Sequence, residues 1–274
     1  MKSLFAFVAA IVLCTAAVTG QTGPMPSHGP TTGYLIITGG GSAPAALALF
    51  TKMAGGPNAN IVVIPTASVE TPQTPTQLRT FCNNLPNCTI LHTTDRAVAD
   101  SDAFVAPLKT ATGVMLVGGR QWRLADAYLG TRTLTEIKNV LDRGGVVYGG
   151  SAGATIQGSY LVRGSSTPDD NTIMMAPGHE VGFALFTNVA IDQHVDARHR
   201  ENDLAAVMKA HPELLGVGLD QGTSITVHGD QLTANGPDHV AIWDGKDHDG
   251  KGYYYLHPGD TLNTATRAAT MVNH

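Results

Sequence analysis

The chain has 274 residues and a formal net charge of −5; 14% of its residues are charged, 43% are hydrophobic and 31 are glycine. This composition excludes a disordered or fibrous protein, and the negative charge argues against a general attraction to nucleic acid or an anionic membrane. The length allows one large core or two small ones, as in a compact enzyme with many tight turns.

The first twenty residues have the pattern of a secretory signal peptide. Lys2 supplies a positive start, residues 4–13 are apolar, and small residues follow up to Gly20. The apolar run is too short to span a membrane unaided, and Leu13 before Cys14 does not fit a lipoprotein cleavage box. We therefore predict cleavage near Gly20 and a secreted or periplasmic protein with no membrane association after cleavage; a retained anchor is the alternative.

The rest of the chain divides into a short leader and one domain. Residues 21–32 are rich in Pro, Gly, Ser and Thr, which predicts a flexible leader. No repeat and no linker divides residues 33–274, which predicts a single domain. An oxidising compartment favours a disulfide between Cys82 and Cys88, with two unpaired thiols as the alternative.

The first half of the domain alternates short apolar strands with helices, a pattern typical of a parallel sheet covered on both faces. Several strands end in glycine, and the sites of open α/β sheets lie beyond the carboxyl ends of their strands. A shared pocket floor is therefore expected at Gly39, Gly118 and Gly149. The expected strands are 34–38, 61–64, 89–91, 114–117 and 146–148, and the expected helices are 44–53, 77–83, 122–128 and 134–141.

Residues 149–154, Gly-Gly-Ser-Ala-Gly-Ala, follow an apolar strand and precede a helix-compatible run at 155–161. This order is the sequence form of a nucleophile elbow, a tight turn that raises Ser151 above the sheet edge. The first amides of the following helix, at Ala152 and Gly153, would face a developing oxyanion. The alternative is a glycine-rich turn with an incidental serine.

The second half is more polar. A strand at 189–192 leads to Asp192-Gln193-His194, a polar helix is expected over 198–208, and a strand at 216–221 ends in a polar tip. Antiparallel hairpins are expected after Thr223. Because a serine hydroxyl needs a neighbouring base, His194 at a strand end is the best candidate. The loop at 244–250 partly resembles a calcium loop, but it lacks the full pattern, so we predict an exposed turn and no metal site.

Taken together, these segments resemble the cyanophycinase and dipeptidase E family of serine peptidases, closer to the cyanophycinase branch. The resemblance covers residues 34 to about 262. The matching segments are Gly39-Gly40-Gly41, Gly118-Gly119-Arg120-Gln121, residues 150–154, Asp192-Gln193-His194 with Arg198 and Arg200, residues 216–220 and residues 255–260.

The resemblance implies an α/β fold: three αβα layers around a mostly parallel central sheet, like class I glutamine amidotransferases. By position, it makes Ser151 the nucleophile and His194 the general base, with the amides of Ala152 and Gly119 as the oxyanion hole. No cofactor is implied. The residues that would line the substrate cleft are Gln121, Asp192, Gln193, Arg198 and Arg200.

One departure concerns the third catalytic position, where the family has glutamate and this chain has Gln221. An amide can orient the imidazole but cannot stabilise the imidazolium, and an acid-to-amide change costs on the order of 10⁴ in turnover in serine proteases. Asp192 or Asp220 could substitute, although a cleft-lining residue and a turn cap are the simpler interpretations of the two. Asp203 also replaces an arginine of the cyanophycinase pattern, which weakens cyanophycin itself as the substrate.

These observations lead to two hypotheses. The first is a secreted serine exopeptidase or dipeptidase that cleaves amides next to aspartyl residues, including β-linked ones, through an acyl-enzyme on Ser151. The second is a catalytically impaired binding or scavenging protein on the same fold, for which Gln221 is the support. The expected partner is an aspartyl peptide rather than nucleic acid. Related folds often pair, so a homodimer is one option that the sequence does not decide.

Overall fold

A computed structural model of the chain describes residues 23–83, 85–167 and 170–273. The predicted signal peptide at residues 1–20 lies outside the described residues. The strands are β1 (Tyr34–Thr38), β2 (Ile61–Ile64), β3 (Cys88–Ile90), β4 (Gly113–Leu116), β5 (Val146–Gly150), β6 (Gly158–Tyr160), β7 (Phe186–Gln193), β8 (Leu215–Leu219), β9 (Ser224–His228), β10 (Gln231–Asn235), β11 (Val240–Trp243), β12 (Tyr254–Leu256), β13 (Thr261–Asn263) and β14 (Ala268–Thr270). The α-helices are α1 (Pro44–Met53), α2 (Pro75–Arg79), α3 (Arg96–Ala99), α4 (Asp102–Val105), α5 (Gln121–Tyr128), α6 (Arg132–Asp142), α7 (Ala152–Thr155) and α8 (Leu204–Ala210).

The larger sheet contains nine strands in the order β14-β13-β10-β9-β1-β5-β4-β2-β3. Its half from β1 to β3 is parallel, whereas β9, β10, β13 and β14 form antiparallel pairs. The predicted parallel sheet and the predicted hairpins after Thr223 are thus joined edge to edge through β1 and β9. The predicted three-layer α/β fold with a mostly parallel central sheet is confirmed.

The central parallel strands β1, β2, β4 and β5 are largely buried on both faces because helices cover each side. Ile36 of β1 packs into a cluster with Phe50 of α1. Its neighbour Ile37 points the opposite way, into a cluster with Leu124 of α5 and Ile137 of α6. This alternation follows from the two-residue period of a strand, and it explains why the strand sequences are continuously apolar.

A second sheet of five strands, in the order β12-β11-β8-β7-β6, was not anticipated. Its strands β6, β7 and β8 are parallel, and β11 and β12 add antiparallel strands. The amide of Gly39, just after β1, donates to Thr223 O, and the amide of His194, just after β7, donates to Gly39 O. The end of the second sheet is thereby tied to the carboxyl edge of the first.

Two helix predictions were wrong in part. The helix after Ser151 is a single turn, α7, and the predicted helical run at 155–161 contains β6, because Gly158 pairs with Phe186 of β7. The predicted helix over 198–208 begins only at Leu204. The residues before it instead make tertiary contacts, among them Arg200 Nη1, which donates to Gln193 O.

The predicted flexible leader was also wrong for its described part. Ser27 is fully buried, and its hydroxyl donates to Asn188 O at 3.0 Å. Its carbonyl accepts the hydroxyl of Thr264, and Arg267 Nη2 donates to Met25 O. Polar side chains of the domain satisfy the backbone of this Pro-rich segment, which the composition of the segment alone could not reveal.

The structure joins Cys82 and Cys88 in a disulfide that closes the loop between the end of the α2 region and β3. This agrees with the first of the two alternatives that the sequence left open. Within residues 23–83, 85–167 and 170–273, no helix is both long and apolar enough to cross a bilayer.

Candidate active site

Ser151 occupies a strained turn between β5 and α7, with φ 55° and ψ −120°. Its amide donates to Thr38 O at the end of β1. The turn depends on small neighbours: a Cβ on Gly149 would lie 2.0 Å from Gly153 O, and a Cβ on Gly153 would lie 2.1 Å from Leu116 O. A serine held in this conformation between two glycines is the geometry of a nucleophile elbow.

His194 lies beside this serine, with Nε2 3.0 Å from Ser151 Oγ. It directly follows β7, has a φ of 53° and is 7% exposed. The distance is that of a hydrogen bond through which an imidazole can remove the hydroxyl proton. The structure therefore brings together the two residues that the sequence analysis assigned as nucleophile and base.

The three glycines after β1 lie among the catalytic side chains. A Cβ on Gly40 would lie 2.5 Å from Cε1 of His194, and a Cβ on Gly41 would lie 3.0 Å from Oε1 of Gln221. Both glycines also have positive φ angles, 97° and 67°. Glycine is thus required in the Gly39–Gly41 segment because no side chain fits between β1 and the imidazole.

Gln221 occupies the third position, with its Nε2 2.9 Å from Nδ1 of His194. An amide nitrogen can only donate to Nδ1, so this orientation of Gln221 requires the tautomer with its proton on Nε2, facing Ser151. A half-turn of the amide would place Oε1 against Nδ1–H and leave Nε2 free to accept the serine proton. The side chain of Gln221 is exposed, and Gly41 leaves room beside it.

The surroundings of His194 disfavour its charged form. Burial, followed by the positive charges of Arg198 and Arg200, lowers the pKa of His194 to about 4, against smaller opposite effects of Asp220 and Asp192. The imidazole is consequently neutral at neutral pH and available as a base. Among the described residues, however, no carboxylate directly contacts His194 to stabilise the imidazolium that forms during proton transfer.

Neither aspartate supplies the missing carboxylate. Asp192 is fully buried and forms a bidentate ion pair with Arg163, at 2.8 Å for both contacts. Asp220 Oδ1 accepts the amide of Ala197 at 2.9 Å. Each carboxylate is held by another group. In this structure, therefore, neither aspartate takes the place of the family's glutamate beside His194.

The predicted oxyanion donors lie on two sides of Ser151. Ala152 begins α7, and Gly119 has a φ of 133° and lines the same cleft as Ser151. A Cβ on Gly119 would lie 2.2 Å from Ala67 O, which restricts this position to glycine. Across the part of the chain that the structure describes, neither amide donates to another protein group. Both remain available to a carbonyl oxygen.

A cleft of about 470 Å³ opens above Ser151. Three of the five predicted substrate residues, Gln121, Gln193 and Arg198, line it. Gln193 is 4% exposed, and its Oε1 has no partner among the described residues. The other two, Asp192 and Arg200, are not among the residues that line this cleft: both are buried, and each makes protein contacts.

The sequence analysis missed three residues of this region. Arg120 and Asn171 line the cleft, and Arg163 lies behind it. Arg120 stands inside the Gly-Gly-x-Gln segment, so its place there was a usable signal. No local pattern marks Asn171 or Arg163, because their places at the site depend on contacts with distant segments of the chain.

One group of side chains among the described residues has the composition of a metal site. Asp196, Asp238 and His239 place one ligand atom each within 4.8 Å of one another, but the two ring nitrogens of His239 already face the two carboxylates. None of the three lines the cleft. The loop after β11 is a turn: Asp244 Oδ1 contacts His248 Nε2 and the Lys246 amide.

Comparison with known proteins agrees with this geometry. A sequence profile described as Peptidase family S51 matches residues 35–235. A cyanophycinase of Synechococcus elongatus is 30% identical over 224 residues, which cover 79% of this chain and 68% of that protein. A Peptidase E of a Nostoc species is 25% identical over 153 residues, which cover 55% of this chain and 62% of the other.

Solved structures share the fold. A peptidase from an acI-B1 Actinobacterium superposes with a TM-score of 0.66 at 22% identity, over 86% of this chain and 98% of the other. A putative Peptidase E protein from Listeria monocytogenes gives a TM-score of 0.54 at 16% identity, over 75% and 99%. With the profile match over most of the domain, the chain belongs to peptidase family S51 and is a serine-type peptidase.

Proposed function

We propose that this peptidase is an exported exopeptidase or dipeptidase that hydrolyses an amide bond next to an aspartyl residue, including β-linked ones. The observation that carries the proposal is the 3.0 Å contact of Ser151 Oγ with His194 Nε2 at the floor of a cleft edged by Arg120 and Arg198. Among the described residues that line the cleft, these two are cations and none is acidic. An anionic substrate complements such a cleft.

The reaction follows from the positions of the side chains. Ser151 Oγ attacks the amide carbon while His194 Nε2 takes its proton, which requires the Gln221 amide to present Oε1 to Nδ1–H. The oxyanion forms beside the amides of Gly119 and Ala152. His194 then returns the proton to the leaving nitrogen, the C–N bond breaks, and an acyl-enzyme on Ser151 remains. Water, deprotonated by His194, hydrolyses the ester and restores the serine.

Substrate profiling tests the specificity. Wild-type enzyme is offered α- and β-aspartyl dipeptides, their asparaginyl counterparts and arginine-bearing poly-aspartate, with Ser151→Ala as the blank. We expect aspartyl substrates to be cleaved at least about tenfold faster than their asparaginyl counterparts, since one charge-assisted hydrogen bond contributes roughly 1.5–3 kcal/mol. Arg198→Gln would reduce this preference, and Arg79→Gln, an exposed change on α2, would not. Equal rates on aspartyl and asparaginyl substrates contradict the proposed specificity.

A second candidate function is a binding or scavenging protein in which this chemistry is impaired. The identity of Gln221 favours it, because an amide cannot stabilise the imidazolium, and an amide that donates to Nδ1 holds the imidazole in the tautomer that cannot accept the serine proton. Such a protein would bind aspartyl peptides in the cleft, measurable by calorimetry, and release them unchanged. Turnover that disappears in Ser151→Ala excludes this candidate.

Export is part of the proposal. The apolar stretch at residues 4–13 and the Cys82–Cys88 disulfide both support an oxidising destination outside the cytoplasm. Sequencing the amino terminus of the protein recovered from medium or periplasm tests it. A mature chain that starts near Gln21 is expected, whereas a cytoplasmic protein that retains Met1 contradicts export.

A further inference from the structure

Arg163 is a buried cation that the reaction described above does not use. Its side chain is 3% exposed, and its backbone has a φ of 53°, in the left-handed region that non-glycine residues seldom adopt. Burial of a guanidinium is costly unless its donors are satisfied. Here three carboxylate contacts and one carbonyl contact satisfy them: Nε to Asp192 Oδ1, Nη2 to Asp192 Oδ2, Nη2 to Asp203 Oδ2 and Nη1 to Asn171 O.

These contacts join the walls of the cleft to one another. Asn171 itself lines the cleft, and Asp192 lies two residues before His194 at the end of β7. Asp203 precedes α8 and follows the cleft residue Arg198 by five positions. The carbonyl of Arg163 also accepts Nε2 of Gln121, at the start of α5. One side chain and its carbonyl thus connect four segments that meet around the substrate space.

The charges around Arg163 make this connection specific to a guanidinium. Asp192 and Asp203 both face it, and their charges raise the pKa of Arg163 against the effect of burial. Arg200 lies near enough that the charge of Arg163 contributes to a lowered pKa of Arg200, about 10, after the larger effect of burial. A lysine would supply one point charge where a planar fork now meets Asp192 with two parallel bonds.

We propose that Arg163 is a positioning residue: its guanidinium fixes the Asn171 wall and the Asp192–His194 strand end relative to Ser151, without touching the nucleophile. The inference rests on the proposed peptidase function, because it assigns to Arg163 the alignment of that site. The backbone of Asp192 continues directly into Gln193 and His194, and Asp192 Oδ1 also accepts the Gln193 amide at 2.9 Å. A shift of Asp192 is therefore transmitted to the imidazole.

The test compares Arg163→Lys with Arg267→Lys. Arg267 is equally buried: as whole residues, Arg267 and Arg163 are each 5% exposed. The guanidinium of Arg267 bonds to carbonyls of Asp244, Met25 and Glu213, away from the cleft. Both variants should unfold at lower temperature than wild type. Only Arg163→Lys should slow fluorophosphonate labelling of Ser151 per folded molecule, by roughly 10- to 100-fold, and raise KM as well as lower kcat, since small misplacements near the nucleophile are costly.

The same two substitutions, made in a protein that also carries Ser151→Cys, test this inference separately from the proposed function. There, alkylation of the introduced thiol by iodoacetamide, followed on its own peptide by mass spectrometry, reports whether His194 still activates that thiol. A tenfold slower alkylation with Arg163→Lys than with Arg267→Lys supports positioning even if the wild-type protein hydrolyses no peptide. If wild type is neither labelled nor active, the peptidase proposal fails, and the alkylation rates still decide the role of Arg163.

If Arg163→Lys does not fold, Asp203→Asn replaces it, because Asp203 is 38% exposed and its loss removes one anchor of the guanidinium. We expect a smaller slowing in the same direction, about threefold, in labelling and in alkylation. Rates per folded molecule that equal those of wild type, or that match those of Arg267→Lys, overturn the proposal and leave Arg163 a purely structural residue.

Discussion

The two halves of the active site are built on different physical principles. The nucleophile half, the turn at Ser151 with the Gly39–Gly41 segment, is fixed by backbone sterics: several positions leave no room for a Cβ. The base half, at the ends of β7 and β8, is fixed by side-chain contacts, in which His194 depends on Gln221 and its strand is anchored through Asp192 and Arg163. Positions fixed by sterics tolerate few substitutions, whereas a network of polar side chains can have one residue replaced while the others keep their contacts.

This difference explains why the sequence predicted one half better than the other. The glycines around Ser151 can be recognised in the sequence, because each is needed within a few residues of the turn. The base half depends on long-range pairs such as Arg163 with Asp192, and no periodicity encodes them. Arg200 is an example: its side chain is buried and donates to Gln193 O, a contact that its place in the sequence does not reveal.

The fold shows the same contrast. The strand at 34–38 and the helix at 44–53 match the structure residue for residue, because strong apolar runs bounded by Gly and Pro set their ends. The single-turn α7 and the strand β6 were predicted as a helix, because pairing with β7 outweighs the local preference of residues 155–161. The second sheet likewise depends on contacts between distant segments.

The largest expected effect comes from restoring a carboxylate to the base half. In Gln221→Glu the new carboxylate would accept from Nδ1–H and stabilise the imidazolium. We therefore expect kcat/KM to rise by about 10²-fold or more, by analogy with the roughly 10⁴-fold loss for the opposite change in a serine protease. Gln77→Glu, which adds the same charge in a capping box on α2, is the control and should leave kcat/KM unchanged. Unchanged activity in Gln221→Glu would show that the third position does not limit catalysis.

The same variant changes the pH dependence. Since His194 must be neutral to act as a base and its pKa is lowered to about 4, wild-type kcat/KM should fall only as the pH drops through that value. A carboxylate beside Nδ1 favours the charged imidazole, so the acidic limb of Gln221→Glu should move upward by about one pH unit or more. Rates of Ser151 labelling between about pH 3 and about pH 8 measure the acidic limb of each protein. If the acidic limbs of wild type and Gln221→Glu coincide, the assignment of His194 as the base is contradicted.

A change in the nucleophile half should lower kcat/KM through sterics alone, by a factor comparable to the gain expected for Gln221→Glu. The added Cβ of Gly40→Ala would lie 2.5 Å from His194 Cε1 and 3.1 Å from Ser151 Cβ. We expect a loss of about 10²-fold in kcat/KM, the scale of a misplacement of about 1 Å. Gly250→Ala has a similar positive φ of 81° with open space around its Cβ, so it should lose some stability but no activity. Comparable activity in both variants would refute steric control of this half.

The smallest effect on activity is expected at the disulfide, which lies in neither half. Replacing Cys82 and Cys88 with serine removes the closure of a short loop beside β3, on the outer edge of the larger sheet. Chain-entropy arguments give a loss of about 2–3 kcal/mol in the free energy of unfolding, with kcat/KM within about twofold of wild type. Urea denaturation and steady-state kinetics measure the two quantities. A large loss of activity in the folded variant would show that this edge is coupled to the cleft.

The most direct measurement of the central claim is the kinetics of covalent labelling by a fluorophosphonate in wild type, Ser151→Ala and His194→Ala. A nucleophile activated by its neighbouring imidazole predicts one label per wild-type molecule on Ser151, no label in Ser151→Ala, and labelling slowed by at least about 10³-fold in His194→Ala. A label on another residue, or wild-type and His194→Ala proteins that react at the same rate, would contradict the account.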